Sequence, residues 1–142
     1  MKPYIRVCAE INLDAAAYNF RSMKNNLAEG TKIIAVVKTD GYGHGAVPIA
    51  RMVEEYDYIW GFAVATAEEA LLLRRADIQK PILILGFVFP DAYEDLVRHD
   101  IRPAVFTLQA ARQLSEEAVR QEKTVHVHMK VDTGMSRIGL TD

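Results

Sequence analysis

The sequence predicts a parallel α/β fold, and two observations carry that prediction. Apolar, β-branched runs begin near Ile33, Ile59, Ile82, Arg102 and Val125, 20 to 26 residues apart, and runs of this kind read as strands buried on both faces. Between them lie stretches whose apolar residues recur at helical spacing behind N-cap residues. Strand and amphipathic helix in steady alternation imply βαβ units with right-handed crossovers. The units share no obvious sequence repeat.

The elements follow in order. Tyr4 to Ile11 alternates loosely and is expected as a short strand. Asp14 is placed as the N-cap of a helix carrying Ala17, Phe20, Met23 and Leu27 on one face, with Gly30 as its stop. The strand Ile33 to Val37 follows, and after Gly45 a second helix runs to about Tyr56, burying Ile49, Ala50 and Val53, with Pro48 tolerated in its first turn. Tyr58 to Val64 is the next strand. Thr66 and Glu69 form a capping-box pattern ahead of a helix with Ala70, Leu71 and Leu73. Pro81 opens the strand Ile82 to Leu85, and Pro90 and Asp91 start a short helix holding Tyr93, Leu96 and Val97. A weaker strand spans Arg102 to Phe106, and Thr107 caps a helix with Ala111, Leu114 and Ala118 inward. Val125 to Val131 is the last strand. On length alone, a five-stranded open sheet fits the chain, whereas an eight-stranded barrel typically needs ~250 residues.

Size and composition bound the function classes. The 142 residues are half hydrophobic and one quarter charged, with a formal charge of −2 and no basic run, which gives no footing for nucleic-acid binding. A chain of this length buries about two-thirds of its unfolded surface. A single cysteine, Cys8, excludes an intrachain disulfide. No apolar stretch approaches the ~20 residues that cross a bilayer, and no signal-peptide pattern opens the chain, so a cytoplasmic protein without membrane partners is expected.

Lys38 ends the run Ile33-Ile34-Ala35-Val36-Val37. In parallel α/β folds the carboxyl ends of strands gather ligands, because the loops leaving them surround a crevice or a barrel mouth. A lysine whose stem lies along apolar surface loses solvation, which favours the neutral, nucleophilic amine. Gly41, Gly43 and Gly45 then let the chain turn tightly. Along Val125 to Val131 the period is two, so His126, His128 and Lys130 share one face. Arg137 follows in the loop beyond, where its planar fork suits a carboxylate or phenolate oxygen. The His-x-His pair also admits a metal-dependent barrel hydrolase using His126 and His128 as zinc ligands.

Val37-Lys38-Thr39-Asp40-Gly41-Tyr42-Gly43-His44-Gly45 resembles the cofactor-lysine motif of the alanine racemases, and Lys130-Val131-Asp132-Thr133-Gly134-Met135-Ser136-Arg137-Ile138-Gly139 resembles a later motif of the same family. The two matches stand in the expected order, with similarity through most of the chain between them. The resemblance implies an eight-stranded (β/α)8 TIM-type barrel followed by a mostly β domain. Residues 1–142 would then be the amino-terminal part of the barrel, about the first five strands, with the C-terminal domain absent. It implies pyridoxal 5′-phosphate held as an imine on Lys38, which then acts as one of two bases. Tyr42 would lie near the cofactor phosphate, Leu85 at the edge of its ring, and Arg137 near its phenolic oxygen and the substrate carboxylate. Lys130 would be a position of carbamylation. His44 is expected to hold the loop.

The parent activity so implied is interconversion of L- and D-alanine, supplying D-alanine for peptidoglycan. The opposite base is a tyrosine of a partner subunit, so a homodimer is expected. The isolated chain is expected to be inactive and to bind the cofactor weakly. A single-domain, non-catalytic carrier of pyridoxal phosphate is the alternative outside catalysis, and a serine-preferring racemase is a close variant.

Overall fold

A computed structural model describes residues 6–141. Eleven helices and strands follow one another as α1 (Leu13–Asn25), β1 (Ile33–Val36), α2 (Lys38–Tyr42), α3 (Ala46–Glu54), β2 (Ile59–Val64), α4 (Ala67–Arg75), β3 (Ile82–Ile84), α5 (Tyr93–Arg98), β4 (Ile101–Val105), α6 (Leu108–Arg120) and β5 (His128–Met129), with a 3-10 turn at Pro90–Ala92 ahead of α5. The five strands are parallel and pair in chain order, β1-β2-β3-β4-β5. An open flavodoxin-like sheet reverses its strand order, which puts helices on both faces. Here every crossover steps the same way, so the sheet forms the arc of an α/β barrel with its helices on one face.

The core lies between that arc and the helices. Ala35 and Val37 of the first strand segment, Phe62 and Val64 of β2, Ile82 and Ile84 of β3, and Ile101 and Val105 of β4 meet Ile49, Ala50 and Val53 of α3, Ala70 and Leu73 of α4, Leu96 of α5 and Leu114 of α6. The other face is the inner one, where Ile34 and Val36 are partly open. A register shift between Ile33 and Ile34 leaves Trp60 without a counterpart on β1. Such a bulge re-aims a side chain, and Trp60 accordingly stands with Arg102 and His128.

Local sequence explains most boundaries. Thr66 and Thr107 cap α4 and α6, their hydroxyls accepting from the backbone N–H of Glu69 and Ala110. Pro48 sits in the first turn of α3, where its missing N–H costs nothing. Six expectations need correction. Asn12, not Asp14, caps α1, accepting from the Ala15 N–H at 2.9 Å, while Asp14 lies in the first turn. That helix ends at Asn25, and Gly30 with φ of 78° belongs to the turn into β1. Of the face expected on α1, Ala17 is buried and Phe20 packs on the core, but Met23 and Leu27 are open to solvent.

Of the expected first strand, Tyr4 and Ile5 lie outside the described residues, and from Arg6 to Ile11 the backbone joins no sheet. On α6, Ala110 rather than Ala111 packs against the core. The last strand is the largest difference: Val125 to Val131 forms ladder pairs only at His128 and Met129, opposite Ala104 and Val105. Val131 adds only a single bridge, to Leu140, so alternation by itself does not create a ladder.

The amino end of the sheet is stitched by Arg74. Its guanidinium donates to the carbonyls of His99 (2.9 Å), Ile78 (2.6 Å), Lys80 (2.9 Å) and Asp100 (2.9 Å), tying the turn after α4 to the approaches of β3 and β4. Only a planar fork reaches four carbonyls in these directions. Arg74→Lys is expected to destabilise the fold by about 1–3 kcal/mol, read as a lower urea midpoint at unchanged slope.

Candidate active site

Lys38, Leu85 and Arg137 meet at the carboxyl end of the sheet. Together with Ala65, Gly86, Phe87 and Ile138 they line one open cavity of about 310 Å³. Lys38 at the end of its strand and Arg137 in the loop beyond β5 thus line the same rim. A volume near 300 Å³ is at the small end of the range for ligand sites. Gly86 belongs there for a steric reason: a Cβ on it would come within 2.7 Å of the Ala65 carbonyl oxygen.

The turn beyond Lys38 is left-handed. Thr39, Asp40, Gly41 and Tyr42 have φ of 54°, 51°, 62° and 55°, and Gly43 closes the turn at 84°. Left-handed backbone costs roughly 1–2 kcal/mol for each residue bearing a Cβ, so three of these five residues are strained and something must hold them. The Gly41 N–H donates to the Val37 carbonyl at 2.9 Å and the Gly45 N–H to that of Asp40 at 2.8 Å. Asp40 Oδ1 accepts from the Ala46 N–H at 2.9 Å, and His44 Nδ1 lies 3.2 Å from the Gly41 carbonyl, so His44 and Asp40 do hold this loop. The third restraint is Glu69. Its Oε1 accepts from the Thr39 N–H and its Oε2 from the Ala65 N–H, both at 2.7 Å. The expected capping box is therefore half formed: Thr66 caps Glu69, but the Glu69 carboxylate reaches across to β1's end instead of back to Thr66.

Tyr42 stands beside the cavity. Its ring centroid is 5.7 Å from Lys38 Nζ, within reach of a cation–π contact, and its exposed side chain faces a separate groove along Phe20 and Met23. Arg137 is exposed in a loop that Asp132 organises. Asp132 Oδ1 accepts from the N–H groups of Gly134 (2.9 Å) and Ser136 (3.0 Å), and these bonds hold its pKa below the usual carboxylate range. The loop's ends are joined by bonds of Leu140 N–H to the Lys130 carbonyl and Asp132 N–H to the Leu140 carbonyl. Gly139 fits there because a Cβ would lie 2.6 Å from the Asp132 nitrogen. Lys130 Nζ donates to the Val131 carbonyl at 3.0 Å.

His126 and His128 point to different neighbours. His126 Nδ1 is 3.5 Å from Asp100 Oδ1 at the sheet's amino end, and the His128 ring meets Trp60 edge-on at 5.7 Å. Among the described residues no three His, Cys, Asp or Glu side chains converge as a metal site. What the sequence did not reveal is the inner-face cluster itself: the Arg102 guanidinium lies 5.1 Å from the Trp60 ring, with its Nε lacking a hydrogen-bond partner among the described residues. The alternation of Arg102 with Ile101, Pro103 and Val105 was the available signal. Glu69 carried no such signal, since its capping position explained it locally.

A chain-ordered parallel arc whose carboxyl end gathers Lys38, Leu85 and Arg137 around one cavity defines the class: part of a parallel α/β barrel. The family follows from comparison. Residues 11–142 match the model of the alanine racemase N-terminal domain, and the chain belongs to that family. It is 44% identical over 135 residues to alanine racemase 1 of Caldanaerobacter subterraneus, covering 94% of this chain and 34% of that protein. To alanine racemase 1 of Oceanobacillus iheyensis it is 47% identical over 133 residues, 92% of this chain and 35% of the relative. Among solved structures, alanine racemase of Clostridium difficile 630 superposes with a TM-score of 0.94 at 39% identity, over 99% of this chain and 37% of that one. The chain thus spans about a third of the length of the relatives it matches.

Burial, and next the nearby Arg102 charge, lower the His128 pKa from that of a free imidazole. The unfolded chain therefore takes up that proton first, and stability falls as pH drops through the unfolded value of about 6.5. The decline ends once pH passes below the folded value. Melting temperatures recorded between pH 7.5 and 5 are expected to fall more steeply for the unsubstituted chain than for His128→Gln.

Proposed function

We propose that this chain supplies the cofactor-lysine part of a pyridoxal-phosphate-dependent alanine racemase. The single observation that carries the proposal is the convergence of Lys38 and Arg137 on one rim cavity. The residues present fit the group: a primary amine for attachment, a guanidinium for an anionic oxygen, and the Leu85 side chain as an apolar wall for a flat ring. Alanine as the parent's substrate is supported by the relatives named above.

Bound pyridoxal phosphate would supply an electron sink for negative charge at the amino acid's α-carbon. The chain's own residues have distinct work. The Lys38 ε-amine would be the point of attachment and, as a free amine, the base that takes or returns a proton on one side of the α-carbon. The Arg137 fork binds an anionic oxygen, and its loop is held in shape by Asp132. Tyr42, whose ring lies 5.7 Å from Lys38 Nζ, orients the amine and would help hold the cofactor's phosphate. Lys130 is the proposed position of carbamylation, where negative charge would complement Arg137. A homodimer, a cytoplasmic location and a supply of D-alanine to peptidoglycan complete the proposal. No helix among the described residues is long and apolar enough to cross a membrane.

Racemisation requires proton removal on one side of a carbon and delivery on the other. Among the described residues lining the cavity, Lys38 is the one proposed base, with no carboxylate, imidazole or phenol beside it. The 142-residue chain is therefore expected to form no D-alanine from L-alanine in an oxidase-coupled assay. It is expected to react weakly but selectively with millimolar pyridoxal phosphate. Borohydride trapping followed by peptide mass mapping should mark Lys38 above all other lysines, and Lys38→Arg should abolish the mark at that peptide. Uniform labelling across the lysines would overturn the reading.

A further inference from the structure

We propose that Glu69 is a positioning residue for Lys38, a single carboxylate that ties together the carboxyl ends of β1 and β2 and so sets the direction of the amine. The inference rests on the reading of Lys38 as the cofactor lysine. Three observations lead to it. The two N–H groups that Glu69 accepts, at Thr39 and Ala65, belong to the residue bonded to Lys38 and to a residue lining the same cavity as Lys38. Both carboxylate oxygens are used, each at 2.7 Å, so the side chain is committed to this bridge. The bridged segment on one side is the left-handed turn of Thr39 to Gly43, in which Thr39, Asp40 and Tyr42 carry the strain of a left-handed backbone.

The chemistry is specific to a carboxylate. An ionised carboxyl accepts at both oxygens and makes charge-assisted bonds to both N–H groups. A glutamine in the same place has one accepting oxygen, and its NH₂ would face the second N–H donor to donor. An aspartate is one methylene short of spanning the gap. The same helix also offers a control, because Thr66 caps α4 without touching Thr39. Thr66→Ala removes a bond to the Glu69 N–H while keeping the carboxylate that accepts from Thr39 and Ala65.

The test compares the unsubstituted chain with Glu69→Gln, Glu69→Asp and Thr66→Ala, all below their thermal midpoints. Two readings are taken: reductive trapping of pyridoxal phosphate at Lys38 relative to Lys24, Lys32, Lys80 and Lys123, and hydrogen exchange at the Thr39 amide. Glu69→Gln and Glu69→Asp are expected to lower the Lys38 share about tenfold, the scale of one lost charge-assisted bond, and to speed exchange at Thr39. Thr66→Ala is expected to leave the Lys38 share unchanged.

Equal losses in Thr66→Ala, or losses spread over all lysines, would show a merely structural role and overturn the proposal. So would an unchanged Lys38 share in both Glu69 variants when the unsubstituted chain favours Lys38. If the unsubstituted chain shows no preference for Lys38, the cofactor-lysine reading falls, and the positioning role falls with it.

Discussion

Each strand of this protein hydrogen-bonds to the strand that follows it in the chain, and that pairing rule decides where everything else can stand. A parallel strand needs a crossover to return the chain to its starting end, and a right-handed crossover that always steps the same way deposits every helix on one face. The opposite face is then an inner surface, and the carboxyl ends of all strands open in one direction. Lys38, Ala65, Leu85 and Arg137 belong to four different segments, yet they share a cavity because each follows a strand at that common end.

Charged side chains bind backbone groups at both ends of the sheet. At the amino end Arg74 collects four carbonyls from loops that enter the strands, and Glu54 Oε1 accepts from the N–H groups of Gln79 and Lys80. At the carboxyl end Glu69, Asp40 and Asp132 accept from N–H groups in the loops that leave the strands. The run of left-handed residues from Thr39 to Gly43 lies at the rim, while Asp77, Asp100 and Glu122 take single left-handed positions in the turns that lead into β3, β4 and β5. On the inner face, meanwhile, Trp60 gathers Arg102 and His128, and Ile34 and Val36 stay partly open.

Much of this was legible in the residues. Periodicity located all five strand regions from Ile33 onward, because a buried strand must be apolar on both faces to sit in a parallel sheet. Cap chemistry located α4 and α6, because a threonine hydroxyl satisfies a local N–H whatever surrounds it. The strand-end lysine was readable because apolar character stops abruptly at Lys38, and the motif resemblance agreed with the family that residues 11–142 match. Periodicity misled where pairing partners decide the outcome, as along Val125 to Val131, where ladder bonds form at only two residues.

The sequence by itself determined the alternation of strand and helix, the identity of the amine at a strand's end and the family to which the chain belongs, because these depend on local pattern and on short motifs. Tertiary structure alone decided that the strands pair in chain order, that Arg137 returns to the rim beside Lys38, and that Glu69 spans two strand ends instead of closing its own cap. Those outcomes depend on contacts between residues far apart in the chain, such as the 2.7 Å bond joining Thr39 to Glu69. No local periodicity encodes such a contact, because its energy exists only once both strands are in register.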